Sequence, residues 1–593
     1  MLARFWKERL NGALRDLKGS ERALLGWAVL TGFAAGLMAV LLKRVVGGLH
    51  QGMSGLADWL SWSWWLAIGP ILGLLATHWV VKNWLGGDHP GPGVPSILQA
   101  LSQRHGRIKR TWMFAPLITS SLSVGLGGSG GLEGPSLQSA AAVGSEIGRQ
   151  TKRTFNRRML LIGCAASASL AALFKAPVAA IIFAVEVIML DLTASSLVPL
   201  LLASLTSLIT ATVLMGDENI LNTPVLNSFR MANLPLYMLL GVVCGVGSVL
   251  FSKLYLGASH AIAWLPSRRL RIWIGGILIG LALLLFPSLY GEGYEVVNAL
   301  FGGHAKILAS DMTMRNMDPE GWVLIAFLML AWVLKPIVTG VTLGAGGVAG
   351  VFAPAIFCGA LLGYQFALVA GWIGPTWSLP IGNAVLAGLA GLLAGVLHAP
   401  LTAILLAAEV SGGYALFVPV MLTAGISFQL SKWWMRHSVY TRELAERGEL
   451  LTHDKDQSVL TLMRLQDQIE SDYEILNPHW TLGQFIPIIE RSSRNLFPVL
   501  DRHRNLLGVV DLQDVREVMF DTEVYDSIKV HDLMVLPLAT IQSEAKMDDV
   551  MKAFERTEAS FLPVLEGSSY CGFVSQTRLF DTYRSWLKDA SIR

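Results

Sequence analysis

The amino-acid sequence predicts a polytopic, all-α membrane domain followed by a C-terminal α+β pair. Three observations point there. Of 593 residues, 53% are hydrophobic and 15% charged, against about a quarter charged in soluble domains. A segment ending near residue 187 recurs near residue 410, and beyond Tyr440 long apolar runs give way to charged, amphipathic segments.

Residues 1–22 are charged rather than apolar, so they read as a cytosolic or surface-lying helix and not as a cleavable signal. Apolar runs follow at Ala23–Leu42, Trp64–Val80, Leu236–Phe251, Ile272–Phe286, Trp322–Val338 and Phe417–Leu430. Several approach the roughly 20 residues that cross a bilayer; others are shorter or interrupted by Gly and Pro. Arg15, Lys18 and Arg22 precede the first run, and Lys432, Arg436, Arg442 and Arg447 follow the last. Basic residues at span ends tend to stay cytoplasmic, so both termini are expected in the cytoplasm; the inner (plasma) membrane of the cell is the expected location. A net charge of +3 is too small to imply nucleic acid. Cys164, Cys244, Cys358 and Cys571 lie far apart, three of them in apolar segments. They read as free thiols, not as a disulfide framework or zinc site.

The membrane domain, residues 23–445, repeats itself over roughly 23–215 and 235–440. Phe174 to Val187 (FKAPVAAIIFAVEV) aligns with Leu397 to Val410 (LHAPLTAILLAAEV), with half of the positions identical. Upstream of each copy lies a glycine-rich stretch, Gly127–Pro135 in one half and Gly344–Pro354 in the other. Glycine-interrupted segments at matching places in a duplicated domain point to a binding site at the repeat interface, near the midplane; close helix packing by small residues is the plainer alternative. The tail, residues 446–593, repeats too, over roughly 460–527 and 528–590. NLFPVLD ending at Asp501 and LLGVV ending at Val510 match SFLPVLE ending at Glu566 and CGFV ending at Val574. Each copy reads as two short strands, a polar turn and a following helix.

Non-helical backbone at membrane depth must line a protein-enclosed or watery cavity. Gly-Pro steps start half-helices there, whose free N–H groups and positive dipole ends attract anions. Three stretches supply such starts: Gly91 to Pro95 with Pro92 and Gly93, Gly131 to Pro135 with Leu132, Glu133 and Gly134, and Gly350 to Pro354 with Val351, Phe352 and Ala353. Neutral amides bind a desolvated anion without trapping it, as a permanent cation would. Glu133, an acid flanked by glycines inside the membrane, is costly and so is functional by default. Its carboxylate mimics the anion at the same amides, and protonation releases it; a plain helix cap is the alternative. Glu186 and Glu409 end the duplicated helices at equivalent positions, which favours a structural role. Tyr440 follows the last span, with a hydroxyl to donate to an anion and a ring to close the inner mouth; an interfacial anchor is its alternative.

Together these features resemble the CLC family of chloride channels and anion/proton exchangers, over nearly the whole chain. The resemblance implies a homodimer with one anion path per subunit, built from inverted repeats of broken and tilted helices, and a tail of CBS domains. Glu133 matches the gating glutamate of a Gly-Arg/Lys-Glu-Gly-Pro motif, although Leu132 replaces the basic residue. Val351 and Phe352 match the residues whose N–H groups face the central anion, and Tyr440 matches the inner tyrosine. Pro92 stands where the family usually has a serine that donates to the anion. Plant members that favour nitrate share this proline, so chloride is expected first and nitrate or another halide second. Val187 stands where proton-coupled members carry a second acid that relays protons, as it does in animal chloride channels. A passive, voltage- or pH-gated chloride channel is therefore expected, with an anion/proton antiporter as the alternative. CBS pairs often hold an adenine nucleotide by an acid at the position of Asp514, whereas the second copy has Arg578; no other cofactor is implied.

A divalent cation transporter with CBS domains is the competing class, but hard cations need clustered carboxylates and the membrane segments hold scattered ones. No HExxH motif marks an enzyme, and His89, His304 and His398 lie far apart in sequence.

Overall fold

Each duplicated segment begins where a helix is forced to stop. The helix Phe155–Phe174 ends on Lys175 at φ 55°, and the helix Ile381–Leu397 ends on His398 at φ 56°, both left-handed. Pro177 and Pro400 then open the next helices at their first position, where the missing N–H leaves no bond unmade. A computed structural model of the chain describes residues 21–60, 65–151, 154–188, 194–217, 220–221, 223, 227–304, 321–374, 378–447, 449, 460 and 463–591. The expected N-terminal helix lies outside them but for its last two residues.

The chain forms two units, Met1–Glu449 and Leu450–Arg593. The break falls past the expected residue 445 because the helix Arg442–Glu446 packs on Val94–Gln103 and Gln99 Nε2 donates to Glu449 at 3.3 Å. The first unit is two matching helical runs. One comprises Glu21–Leu60, Trp65–Asn83, Val94–Gln103, Ala115–Gly125, Glu133–Gln150, Phe155–Phe174, Pro177–Phe183 and Ala194–Met215. The other comprises Leu234–Ala263, Arg268–Leu285, Tyr294–Phe301, Gly321–Gly344, Phe352–Ile373, Ile381–Leu397, Pro400–Val410 and Phe417–Trp434. The match extends to packing. The first helix of each run packs on the last, and the fifth on the sixth; across the runs, Trp65–Asn83 meets Arg268–Leu285 and Pro177–Phe183 meets Pro400–Val410.

Six of these helices are long and apolar enough to cross a membrane among the described residues. Leu201, Leu205, Ile209 and Val213 form an exposed apolar stripe on one of them, a face that only lipid or another apolar surface covers. By contrast the helix Glu133–Gln150 is buried along nearly its whole length.

Glu186 and Glu409 tie the runs together. Glu186 accepts from the Leu401 and Thr402 N–H groups at 3.1 and 2.9 Å and from the Thr402 hydroxyl at 2.7 Å. Glu409 accepts from the Val178 and Ala179 N–H groups at 3.0 and 2.7 Å. Each acid, late in its own segment, caps the N-terminus of the other copy, so the two segments run antiparallel and the repeat is inverted. The structural role expected of the pair is what the geometry gives. Replacing either acid with alanine strands two helix N–H groups, a loss of about 2 kcal/mol. Thermal unfolding in detergent is expected to drop similarly for both variants.

In the second unit, β1 (Leu496–Leu500) pairs antiparallel with β2 (Leu506–Asp511). β3 (Ile541–Gln542), β4 (Phe561–Glu566) and β5 (Ser569–Ser575) form the matching sheet, with β4 and β5 antiparallel. The predicted helices follow β2 and β5 as Leu512–Val515 and Gln576–Ser591. Tyr473, Tyr570 and Phe573 join the hairpins in one apolar cluster. Arg494 lies over the Tyr473 ring at 4.8 Å and pairs with Glu470 at 2.8 Å. Burial, then the Glu470 carboxylate, pushes the Tyr473 phenol up to about 12.

Candidate anion site between the glycine motifs

The three glycine stretches converge through backbone. Gly131 N–H donates to Gly350 O at 2.8 Å and Gly350 N–H returns to Gly131 O at 2.7 Å, an antiparallel bridge joining the second motif to the third. Gly93, at φ 87°, lies so close to Gly134 that a Cβ there would stand 2.6 Å from the Gly134 carbonyl carbon. A Cβ on Gly134 would in turn meet Gly350 Cα at 3.2 Å.

Helices start at this junction. Val94–Gln103 begins after Gly93, Glu133–Gln150 after Leu132 and Phe352–Ile373 after Val351; Leu132 and Val351 share φ −91° and ψ −8°. The first N–H groups of a helix have no partner within it. In the third motif the first helical bond is from Ala355 N–H to Val351 O, and Pro354 has no N–H, which leaves Val351, Phe352 and Ala353 to offer theirs. In the second motif Leu132 N–H meets the Glu292 carboxylate at 3.4 Å. Pro92 lacks both hydroxyl and N–H, so the first motif donates only from Gly93 onward.

Two unpartnered polar atoms bracket the junction. Glu133 is 2% exposed; its Oε1 accepts from Tyr294 Oη at 2.5 Å, while Oε2 is buried without a hydrogen-bond partner among the described residues. Tyr440, 3% exposed, has its hydroxyl buried in the same condition. On the Tyr440 side opens a cavity of about 530 Å³, lined by His89, Gly91, Pro92, Val351, Tyr440 and Arg442 among others. At its rim Arg442 and Arg447 pair with Glu446 and Glu443 at 2.9 and 2.6 Å. The bond from Arg442 holds the Glu446 carboxyl below the usual carboxylate range. An anion entering this cavity meets a neutral hydroxyl and helix N-termini, donors that replace its hydration shell without fixing it in place.

The structure therefore brings together Pro92, Gly93, Glu133, Gly134, Gly350, Val351, Phe352, Ala353 and Tyr440. Val187 sits apart from the cavity on a π-helical turn, Ala184–Ile188, half-buried beside the capping Glu186. Asp514 lies exposed on Leu512–Val515 in the tail, and Arg578 stands 3.9 Å from Glu470.

Sequence reasoning missed three groups here. His89 accepts from Gly91 N–H through Nδ1 at 3.1 Å and bonds Gly346 O through Nε2 at 3.0 Å, so it is a strut between the first and third motifs. Lys43 faces Glu133 and Glu292 and donates to Leu173 O at 3.1 Å, which supplies a cation near the position where Leu132 has none. The third is the pair Glu292 and Tyr294, and Glu292 carried a legible signal: like Glu133, it is an acid between glycines.

Comparison with known proteins gives a consistent result. The profile described as Voltage gated chloride channel matches residues 72–432, and the CBS domain profile matches 468–521 and 530–585. A Ralstonia nicotianae protein named Putative chloride channel protein ClcB-like is 29% identical over 446 residues, 72% of this chain and 97% of that protein. The H(+)/Cl(-) exchange transporter ClcA of Cronobacter sakazakii is 27% identical over 440 residues, 70% of this chain and 88% of that one. The crystal structure of a eukaryotic CLC transporter superposes with a TM-score of 0.60 at 19% identity, over 94% of this chain and 97% of that one.

Proposed function

This chain belongs to the voltage gated chloride channel family, and we propose that it passes chloride passively along a path gated by Glu133 and entered past Tyr440. It is a multi-pass membrane protein of CLC anion transport with C-terminal CBS domains; the gate and the passive mode are the proposal. The observation that carries the gate is the buried Glu133 carboxylate, with one oxygen unpartnered among the described residues, at the start of a helix that meets the other two glycine motifs. The passive mode rests on Val187, which cannot carry a proton, and on its neighbour Glu186, whose oxygens are taken by Leu401 and Thr402.

Proton exchange is the second reading, favoured by the exchange transporter named among the relatives. Liposomes loaded with chloride and an internal pH dye separate the two. Passive flux leaves internal pH unchanged and reverses at the chloride equilibrium potential. Protons driven uphill by chloride would overturn the passive mode.

Pro92 bears on the choice of anion. A serine there restores one donor to a charged ligand, worth about 1.5–3 kcal/mol. Pro92→Ser is expected to raise chloride over nitrate by roughly tenfold, read as the ratio of their fluxes. The homodimer belongs to the same reading, with Val178, Leu401, Leu201 and Leu205 as exposed apolar residues for a second copy to cover. So does an adenine nucleotide bound at the tail near Asp514.

A further inference from the structure

A fourth glycine motif stands beside Glu133 and outside the lining of the Tyr440 cavity. Gly291, Glu292 and Gly293 stand at the same place in their run as Gly91, Pro92 and Gly93 in theirs. Both glycines of each motif lie at positive φ, 56° and 85° in one and 80° and 87° in the other. Each motif also opens a short helix, Tyr294–Phe301 or Val94–Gln103, and these are the third helices of their runs. The inverted repeat thus pairs Glu292 with Pro92 and Leu132 with Val351. At Val351 the helix N-terminus is open toward the anion path. At its counterpart Leu132 the N–H group meets the Glu292 carboxylate, an anion supplied by the protein itself.

The loop that carries Glu292 is held firmly. Gly130 N–H donates to Gly291 O and Gly291 N–H to Gly128 O, both at 3.1 Å. The buried Lys335 Nζ donates to Leu289 O and Gly291 O at 3.1 and 2.9 Å, over the Phe357 ring. From this loop Tyr294 donates to Glu133 Oε1, and the Glu292 carboxylate, held at the Leu132 N–H, stands beside the Glu133 carboxyl and acts on its charge. Two bare carboxylates side by side repel, and a proton between them removes the repulsion. The charged and titratable groups facing the pair are Lys43 from Glu21–Leu60, Lys335 from Gly321–Gly344 and Tyr294, with Lys175 and Tyr440 further off. Glu292 is partly buried and keeps some exposed surface, whereas Glu133 is 2% exposed.

We infer that Glu292 is the proton partner of the Glu133 gate and that Tyr294 is the residue that orients the gate carboxylate. In the step, the O–H bond of a protonated Glu292 breaks as the proton passes to a Glu133 oxygen. Glu133 becomes neutral and leaves the amides, and Glu292, now a carboxylate, takes a replacement proton from water. The inference rests on Glu133 being the gate, in a channel or an exchanger alike.

Its test is the pH profile of chloride flux in proteoliposomes for wild type, Glu292→Gln, Tyr294→Phe and Glu133→Gln. Glu292→Gln removes a negative neighbour, so more acid is needed to neutralise the gate and the midpoint moves about one unit toward acid. Tyr294→Phe removes a donor to the carboxylate, so the midpoint moves about one unit the other way. A purely structural disturbance has no reason to split the two variants in sign. Glu292→Asp serves if the glutamine variant does not fold, with a smaller shift in the acid direction expected, since the shorter acid carries the same charge from further away. Shifts of like sign, or none, with Glu133→Gln alone pH-insensitive, overturn the inference and leave the gate standing. A Glu133→Gln profile identical to wild type removes the gate itself.

Discussion

Glutamine in place of Glu133 is expected to make chloride flux independent of pH. The amide has the shape of the protonated acid and cannot ionise, so the gate is fixed in its neutral form. In the wild type the ionised carboxylate competes with chloride for the amides at the motif junction. Protonation ends that competition, so flux rises as pH falls and declines as pH rises through the titration of the gate. Each pH unit on the alkaline side changes the protonated fraction by about tenfold. The Glu133→Gln variant should therefore exceed wild type by about tenfold for each pH unit above the midpoint of the gate, and match it in acid. Tyr294 donates to Glu133 Oε1 at 2.5 Å, and an amide oxygen accepts the same bond, so the variant is expected to keep its fold. Flux at two pH values, with and without a membrane potential, checks this. A variant slower than wild type at every pH would mean that the carboxylate assists the anion instead of blocking it.

Much of this site was legible because glycine and proline fix backbone in ways that context does not override. Gly93, Gly134 and Gly350 stand where a Cβ would meet backbone, and the Ala-Pro steps at Pro177 and Pro400 mark helix starts in both copies. The α+β tail was legible for a different reason, since each copy sets two short apolar runs on either side of a polar turn. Hydropathy served less well. Phe155–Phe174 is rich in alanine and serine and is packed by other helices, so its sequence carries no long lipid-facing run. The fourth motif escaped because Gly291, Glu292 and Gly293 are followed by Tyr294 rather than by a proline, and only the fold sets them beside Glu133. His89 escaped because a lone histidine is most often packed or solvated; its role appears once Gly91 and Gly346, far apart in sequence, come together.

Alanine at Gly93 is expected to be the most damaging single change to the site. The position holds φ 87°, where a Cβ costs roughly 1–2 kcal/mol. The added atom would also stand 2.6–2.7 Å from the Gly134 carbonyl carbon, Cα and oxygen. Backbone cannot rotate away as a side chain does, and Gly134 is backed by Gly350, itself bridged to Gly131. The first motif must therefore back out of the junction, at an overpacking cost of about 1–3 kcal/mol. Thermal unfolding should register a total loss near 2–5 kcal/mol. Chloride flux should fall by tenfold or more, because the start of Val94–Gln103 moves away from the other two helix starts. Gly257→Ala is the matched control: it lies in the helix Leu234–Ala263 with nothing within 4 Å of the added atom. There the helix gains roughly 1 kcal/mol from alanine over glycine, and flux should not change. If Gly93→Ala kept both stability and flux, the close approach of the three motifs would have no part in holding the anion, and the path would have to lie elsewhere.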